Sequence, residues 1–175
     1  MKYIILLLFS LLVVGCGKKS SSEGSDSAGA SAEPSADTTQ ESEKPVTVPL
    51  SDADVERILK EAVDFDSLEK RDNLVYQDNQ PYSGWGKEMH DSGQAARLAE
   101  IKDGKPNGLA IEWHENGQKA GEGTLKDGRP HGLVKVWHEN GQKLGELKYK
   151  DGEEVSGKYW NSKGEEVETW EEAQK

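Results

Sequence analysis

The chain has 175 residues, a formal net charge of −11 and 33% hydrophobic residues, which allows one ordinary domain and a modest core. That acidic balance disfavours direct binding to nucleic acid or to an anionic membrane face, and leaves basic or neutral partners, or solubility alone, as its use. The single cysteine, Cys16, excludes an internal disulfide framework.

Met1-Lys2 gives a short positive start, Ile4 to Val14 is almost unbroken apolar sequence, and Val13-Val14-Gly15-Cys16 closes it. Such a layout predicts a secretory signal over residues 1–15. The apolar run is about half of the roughly 20 residues that a spanning helix needs. Val13-Val14-Gly15-Cys16 resembles the bacterial lipobox. By that resemblance Cys16 becomes the acylated N-terminus, and Gly17, not being Asp, permits sorting to an outer membrane. The implied location is the bacterial cell envelope: the outer membrane, facing the periplasm or the surface, in a Gram-negative cell, and the cell membrane otherwise. Two or three acyl chains hold a protein stably where one does not.

Residues 16–49 are mostly Ser, Ala, Glu, Asp, Thr, Gly and Pro, with no aromatic residue and no apolar run. Such a segment cannot offset its ordering entropy and is expected to be a disordered tether. Its mean reach is about 30 Å.

Residues 50–66 are expected to hold a capping helix. Ser51-Asp52-Ala53-Asp54 has the form of a capping box, and Val55, Ile58, Leu59, Ala62 and Val63 recur at spacings of three and four. The apolar stripe predicts a partner surface, and the first exposed edge of a following sheet is the nearest one. Leu74-Val75-Tyr76 is the expected first strand.

From Gly84 the chain repeats with a period of 24 residues, so residues 67–175 read as a repeat domain. Gly84, Gly108 and Gly132 keep that spacing, as do Gly93, Gly117 and Gly141, and Lys-Asp-Gly recurs at 102–104, 126–128 and 150–152. Gly157 to Gly164 is a shorter fourth copy. Asn116-Gly117 and Asn140-Gly141 predict two-residue hairpin turns. Asp-Gly at Gly104 and Gly128, each followed by Pro two positions on, predicts the wider connection, with Gly152 the third of its kind. Strands are expected near 85–90, 95–102, 109–114, 118–126, 133–138, 143–150 and 157–161, antiparallel throughout. The fold expected is mainly β, a single-layer antiparallel hairpin-repeat sheet with a short N-terminal capping helix. Met89, Trp113, Trp137 and Trp160 occupy equivalent positions, as do Ile101, Leu125 and Tyr149, which predicts ladders along one face. Gly121, Gly123 and Gly145 opposite them predict a thin, curved sheet rather than a two-sided core. Glu166 to Gln174 is expected to close the last edge with a turn or short helix.

These units resemble the bacterial MORN-variant repeat: a Gly, a strand with Trp or Tyr, Glu-Asn-Gly-Gln, a second strand and Lys-Asp-Gly. The blocks Trp113 to Lys119 and Trp137 to Lys143 carry the pattern best, whereas Met89 replaces the aromatic in the first copy and Trp160-Asn-Ser-Lys-Gly164 lacks Glu-Asn. The resemblance implies a protein or lipid contact module. Through the YwqK-type members it also implies a toxin-neutralising antitoxin.

No catalytic constellation stands out. His114-Glu115 and His138-Glu139 begin like a zinc-protease motif, but Gln118 and Gln142 stand where its second His belongs, and a turn replaces the helix. His90, His114 and His138 recur one per repeat, two strands or about 9 to 10 Å apart. That is too far to share one zinc, and leaves a surface histidine ladder. The Trp113, Trp137 and Trp160 ladder reads either as a platform for glycan or peptide or as core packing. Neither cofactor nor metal is expected. The function expected is a lipid-anchored, non-catalytic module with an unidentified protein partner; an antitoxin, or an envelope glycan-binding or glycan-hydrolysing protein, is the alternative.

Overall fold

The computed structural model describes residues 50–175. The signal segment, Cys16 and the tether lie outside the described residues. Helix α1 spans Asp52–Glu61; the Ser51 hydroxyl accepts from the Asp54 backbone N–H at 3.2 Å and donates to its carboxylate at 2.6 Å. That satisfies one of the donors a helix start leaves open. The chain leaves the helix extended and forms β1, Val63–Asp64, which pairs in parallel with β5, Gly84–Met89. Lys87 Nζ on β5 donates to the Leu59 carbonyl in the last helical turn at 2.8 Å. Helix and strand thus cover the first edge of the sheet together, and β1 is a parallel exception to an otherwise antiparallel array. A parallel pair needs a crossover of a dozen residues or more, and the segment between β1 and β5 supplies it.

That segment departs from expectation. After a 3-10 turn at Phe65–Ser67 come β2 (Glu69–Arg71), β3 (Leu74–Gln77) and β4 (Gln80–Pro81), which pair only with each other. Leu74-Val75-Tyr76 is therefore the middle strand of a separate three-stranded sheet, not the first strand of the repeat sheet. Asp72-Asn73 and Asp78-Asn79 all have positive φ, the mark of tight turns that curl this small sheet back on itself.

The main sheet has nine strands, β1 followed by β5 to β12 in sequence order. Its long members after β5 are β6 (Ala95–Lys102), β7 (Lys105–Trp113), β8 (Lys119–Lys126), β9 (Arg129–Trp137), β10 (Lys143–Lys150) and β11 (Glu153–Trp160). Strand β12 (Glu166–Val167) and helix α2 (Trp170–Ala173) finish the chain. The architecture is the expected open, mainly antiparallel hairpin sheet with one capping helix, and Glu166 to Gln174 closes the last edge as a short strand plus a helical turn.

The two kinds of turn are exchanged relative to the sequence reading. Asp103-Gly104, Asp127-Gly128 and Asp151-Gly152 have positive φ at both residues and are the two-residue hairpins. At the other end only Gly93, Gly117, Gly141 and Gly164 are left-handed. There His114 N–H donates to Gln118 O at 2.9 Å and Gly117 N–H to His114 O at 2.9 Å, a longer loop closed by one left-handed glycine. Asn116 and Asn140 keep ordinary φ because their side chains have another task, taken up below. Pro106 and Pro130 do not stop the ladder either: they pair with Ile101 and Leu125, and their carbonyls accept from Gly128 and Gly152 N–H at 2.7 and 2.9 Å. Strands β7, β9 and β11 consequently begin four residues earlier than expected.

Register sorts the faces. Gly86, Ala99, Ala110, Gly123, Val134, Leu147 and Gly157 are successive cross-strand partners, and so are Glu88, Arg97, Glu112, Gly121, Val136, Gly145, Tyr159 and Val167. Both rows lie on one face, which we call the covered face. Near its start Phe65, Leu68 and Val75 bury Ala99, Ile101, Ala110 and Leu125. A Cβ on Gly86 would overlap the Phe65 ring, so the small residues are what let the small sheet sit down. Near its end Ala173 packs on Val134, Val136, Leu144 and Leu147, with Trp170 beside them. Two apolar clusters thus form on the glycine-rich side, contrary to the thin-sheet reading. Small residues make room for added elements rather than leaving the face bare.

On the opposite face, which we call the open face, the row starts Lys87, Leu98, Ile111, with Leu98 and Ile111 fully buried, and becomes an alternating charge ladder from Glu122 through Lys135 and Glu146 to Lys158. Trp113 follows Ile111 by two residues and shares that face, whereas Ile101 and Leu125 belong to the covered one. The two ladders expected on one face are on opposite sides.

Candidate functional site

The aromatic ladder comes first. Trp113, Trp137 and Trp160 are half-buried and belong to neither apolar cluster. Lys119 Nζ stands 5.8 Å from the Trp137 ring centre and Lys143 Nζ 4.9 Å from that of Trp160, while each lysine also pairs with a glutamate, Glu122 and Glu146. Burying lysine stems over indole rings shields those faces and adds a cation–π attraction. The ladder is therefore neither a buried core nor a bare platform.

The histidines are stitches between repeats. Nε2 of His90 donates to the Trp113 carbonyl at 2.9 Å, that of His114 to the Trp137 carbonyl at 3.0 Å, and that of His138 to the Trp160 carbonyl at 2.9 Å. His114 is buried, so this is not the surface histidine ladder of the sequence reading. Asn116 and Asn140 do the same work one step further out. Each accepts from the N–H two residues on, at 2.9 and 3.0 Å, and donates to the next loop, at Glu139 O (2.7 Å) and Ser162 O (2.9 Å). Among the described residues no group of three or more potential ligands converges for a metal ion. Nor is any helix there long and apolar enough to cross a membrane.

A second feature escaped sequence reasoning. Arg97 on β6 binds Glu112 on β7, Nε to Oε1 at 3.0 Å, and Glu88 on β5, Nη1 to Oε2 at 3.4 Å. Only 8% of the Glu112 side chain and 12% of that of Arg97 is exposed. Burial raises the Glu112 carboxyl above its ordinary range, against the pull of Arg97. The trio forms the floor of a groove of about 570 Å³ at the end of the sheet where the longer loops gather. Its walls include His90, Trp113, His114 and Asn116 from the repeat motif, together with Met89 and Ala120. The signal that could have found it is a break in the repeat. Glu88 and Glu112 recur as Val136, and Arg97 as Gly121 and Gly145, so the ion trio stands where later copies keep apolar or minimal residues.

Of the residues singled out from sequence, the groove gathers His90, His114, Trp113 and Asn116; Trp137, Trp160, His138 and Asn140 lie in later repeats. Gly93, Gly117 and Gly141 shape the longer loops, and Gly104, Gly128 and Gly152 the two-residue turns at the opposite end of the strands.

Both hairpins in the middle of this array, β7 with β8 and β9 with β10, carry an identifiable unit. Residues 106–127 and 130–151 match the MORN repeat variant. MORN repeats are in general protein- or membrane-interaction modules and typically non-catalytic. Each match begins at the proline of an Asp-Gly-x-Pro turn and runs to the next Asp or Lys-Asp, so one MORN unit is one hairpin with the longer loop at its tip. Neither a curated protein nor a solved structure matches the chain.

Proposed function

We propose that the chain is a lipid-anchored envelope protein whose MORN-like sheet is a non-catalytic protein-interaction module. The groove floored by Glu88, Arg97 and Glu112 carries the reading, because it is a concave, charged surface whose floor is held by three paired strands. The anchor rests on Val13-Val14-Gly15-Cys16, and the acidic composition of 16–49 suits a spacer that holds the module off the headgroups.

Two measurements test it. Replacing Cys16→Ala is expected to abolish fatty-acid labelling and to move the protein from the membrane to the soluble fraction; unchanged labelling refutes the anchor. A photo-crosslinking residue at Met89, exposed at the groove rim, is expected to yield a discrete adduct in intact cells, whereas the same probe at Val155, exposed on β11, is not. Equal labelling at both positions, or none, refutes the interaction module. If the adduct is a toxin whose activity falls on co-expression, the partner is of the antitoxin kind implied by the YwqK resemblance.

A further inference from the structure

The covered face is filled unevenly along the repeat. Around Val136 and Leu144 the chain's own α2 lies on the sheet, with Ala173 fully buried and the Trp170 ring 3.4 Å from where a Cβ on Gly145 would be. The positions 24 residues earlier are Glu112 and Ala120, and they line the open groove. One repeat therefore shows what this surface accommodates: a short stretch of polypeptide laid across the small residues. The preceding repeat keeps the strand register there, with Arg97 and Glu112 in place of small and apolar residues, and no described helix lies over it.

Its electrostatics differ from the filled one. Arg97 is compensated by Glu88 and Glu112 together. Beyond that trio Asp91, Glu115 and Glu139 also line the groove, and all three are exposed. Nε2 of His90 and of His114 is committed to backbone carbonyls. A concave surface lined by exposed carboxylates raises the local concentration of a basic partner and steers its approach. About 570 Å³ suits a few residues of peptide.

We propose that this groove receives a basic segment of a partner protein, a lysine- or arginine-bearing strand or turn, in the place that α2 takes one repeat later. This rests on the interaction-module reading and names the site and partner chemistry within it. The acylated full chain in phosphatidylcholine vesicles, which carry no net charge, is titrated with a fluorescent lysine-glycine repeat peptide by anisotropy. Saturable binding is expected, falling at least roughly tenfold as salt rises from about 0.05 to about 0.5 M. The triple variant Asp91→Asn, Glu115→Gln, Glu139→Gln, which leaves the Glu88–Arg97–Glu112 trio intact, is expected to weaken it about tenfold. Glu56→Gln, Glu153→Gln and Glu171→Gln together make the same change in net charge at exposed positions away from the groove, and are expected to weaken it less than about twofold. Equal loss in the two triple variants, or no saturable binding, overturns the proposal. Failure here with a surviving Met89 crosslink refutes the basic-segment assignment alone, whereas loss of the crosslink refutes the module reading beneath it.

Discussion

The two ends of the covered face solve the same steric problem with opposite chemistry. At the end near α2 the row reads Val136, Gly145, Tyr159 and Val167, and Trp170 and Ala173 close over it; Tyr159 and Trp170 meet edge to face with ring centres 5.8 Å apart. At the other end the same row reads Glu88, Arg97, Glu112, and no element of the described chain covers it. An apolar surface must be covered to stabilise the fold. A buried ion pair such as Arg97–Glu112, with half-exposed Glu88 beside it, contributes little net stability. The difference teaches that a repeat can be specialised by a few substitutions on an unchanged backbone.

Breaking the polar end has the largest expected effect. Arg97→Leu strands Glu112, whose side chain is 8% exposed, and is expected to cost about 3 kcal/mol in chemical denaturation at neutral pH. Adding Glu112→Val, the residue of the next repeat, is expected to recover most of that loss. If the double variant stays as weak as the single one, the two ends are not interchangeable.

Breaking the apolar end comes next. Trp170→Ala removes a half-buried ring from Tyr159 and the Gly145 floor and is expected to cost about 2 kcal/mol, read as a lower denaturation midpoint. An unchanged midpoint removes α2 from the core.

The third test uses pH. Glu112 is held above its ordinary value of 4.5 by burial, so the folded chain takes up this proton before the unfolded chain does. Its contribution to stability therefore improves as pH falls from neutrality through 4.5 and is lost as pH rises again. The stability of the parent relative to Glu112→Gln is expected to rise over that descent. A relative fall means that Arg97 outweighs desolvation.

Smaller still is Asn116→Ala, which removes the bonds to Glu139 O and Gln118 N–H and is expected to cost about 1 kcal/mol. Lys119→Gln on the open face, which loses its hold on Glu122 and the Trp137 ring, is expected to change stability by about 0.5 kcal/mol.

Period and polarity carried much of this architecture. The spacing of Gly84, Gly108 and Gly132 and the Trp-His-Glu-Asn-Gly-Gln-Lys blocks locate the hairpins because each copy solves the same local backbone problem. The start of α1 follows from the Ser51 cap, but its end does not follow from the apolar spacing: Ala62 and Val63 continue that spacing, yet Ala62 is extended and Val63 pairs with Gly86 in β1. Turn type was less legible: Asn-Gly is a strong two-residue signal by backbone preference, yet Asn116 and Asn140 spend their side chains on the neighbouring repeat, a contact no single hairpin contains. The role of His90, His114 and His138 escaped for that reason too.

What the linear sequence determined by itself is the class of the domain, its repeat and its acidic character, because hydrophobic period, glycine placement and charge act within a few residues of one another. Only the tertiary structure decided that the glycine-rich face is the covered one, that residues 69–81 form a sheet apart, and that Glu88, Arg97 and Glu112 meet. Those outcomes depend on which strands lie side by side and on the volume left between them, quantities that exist only once the ladder has formed.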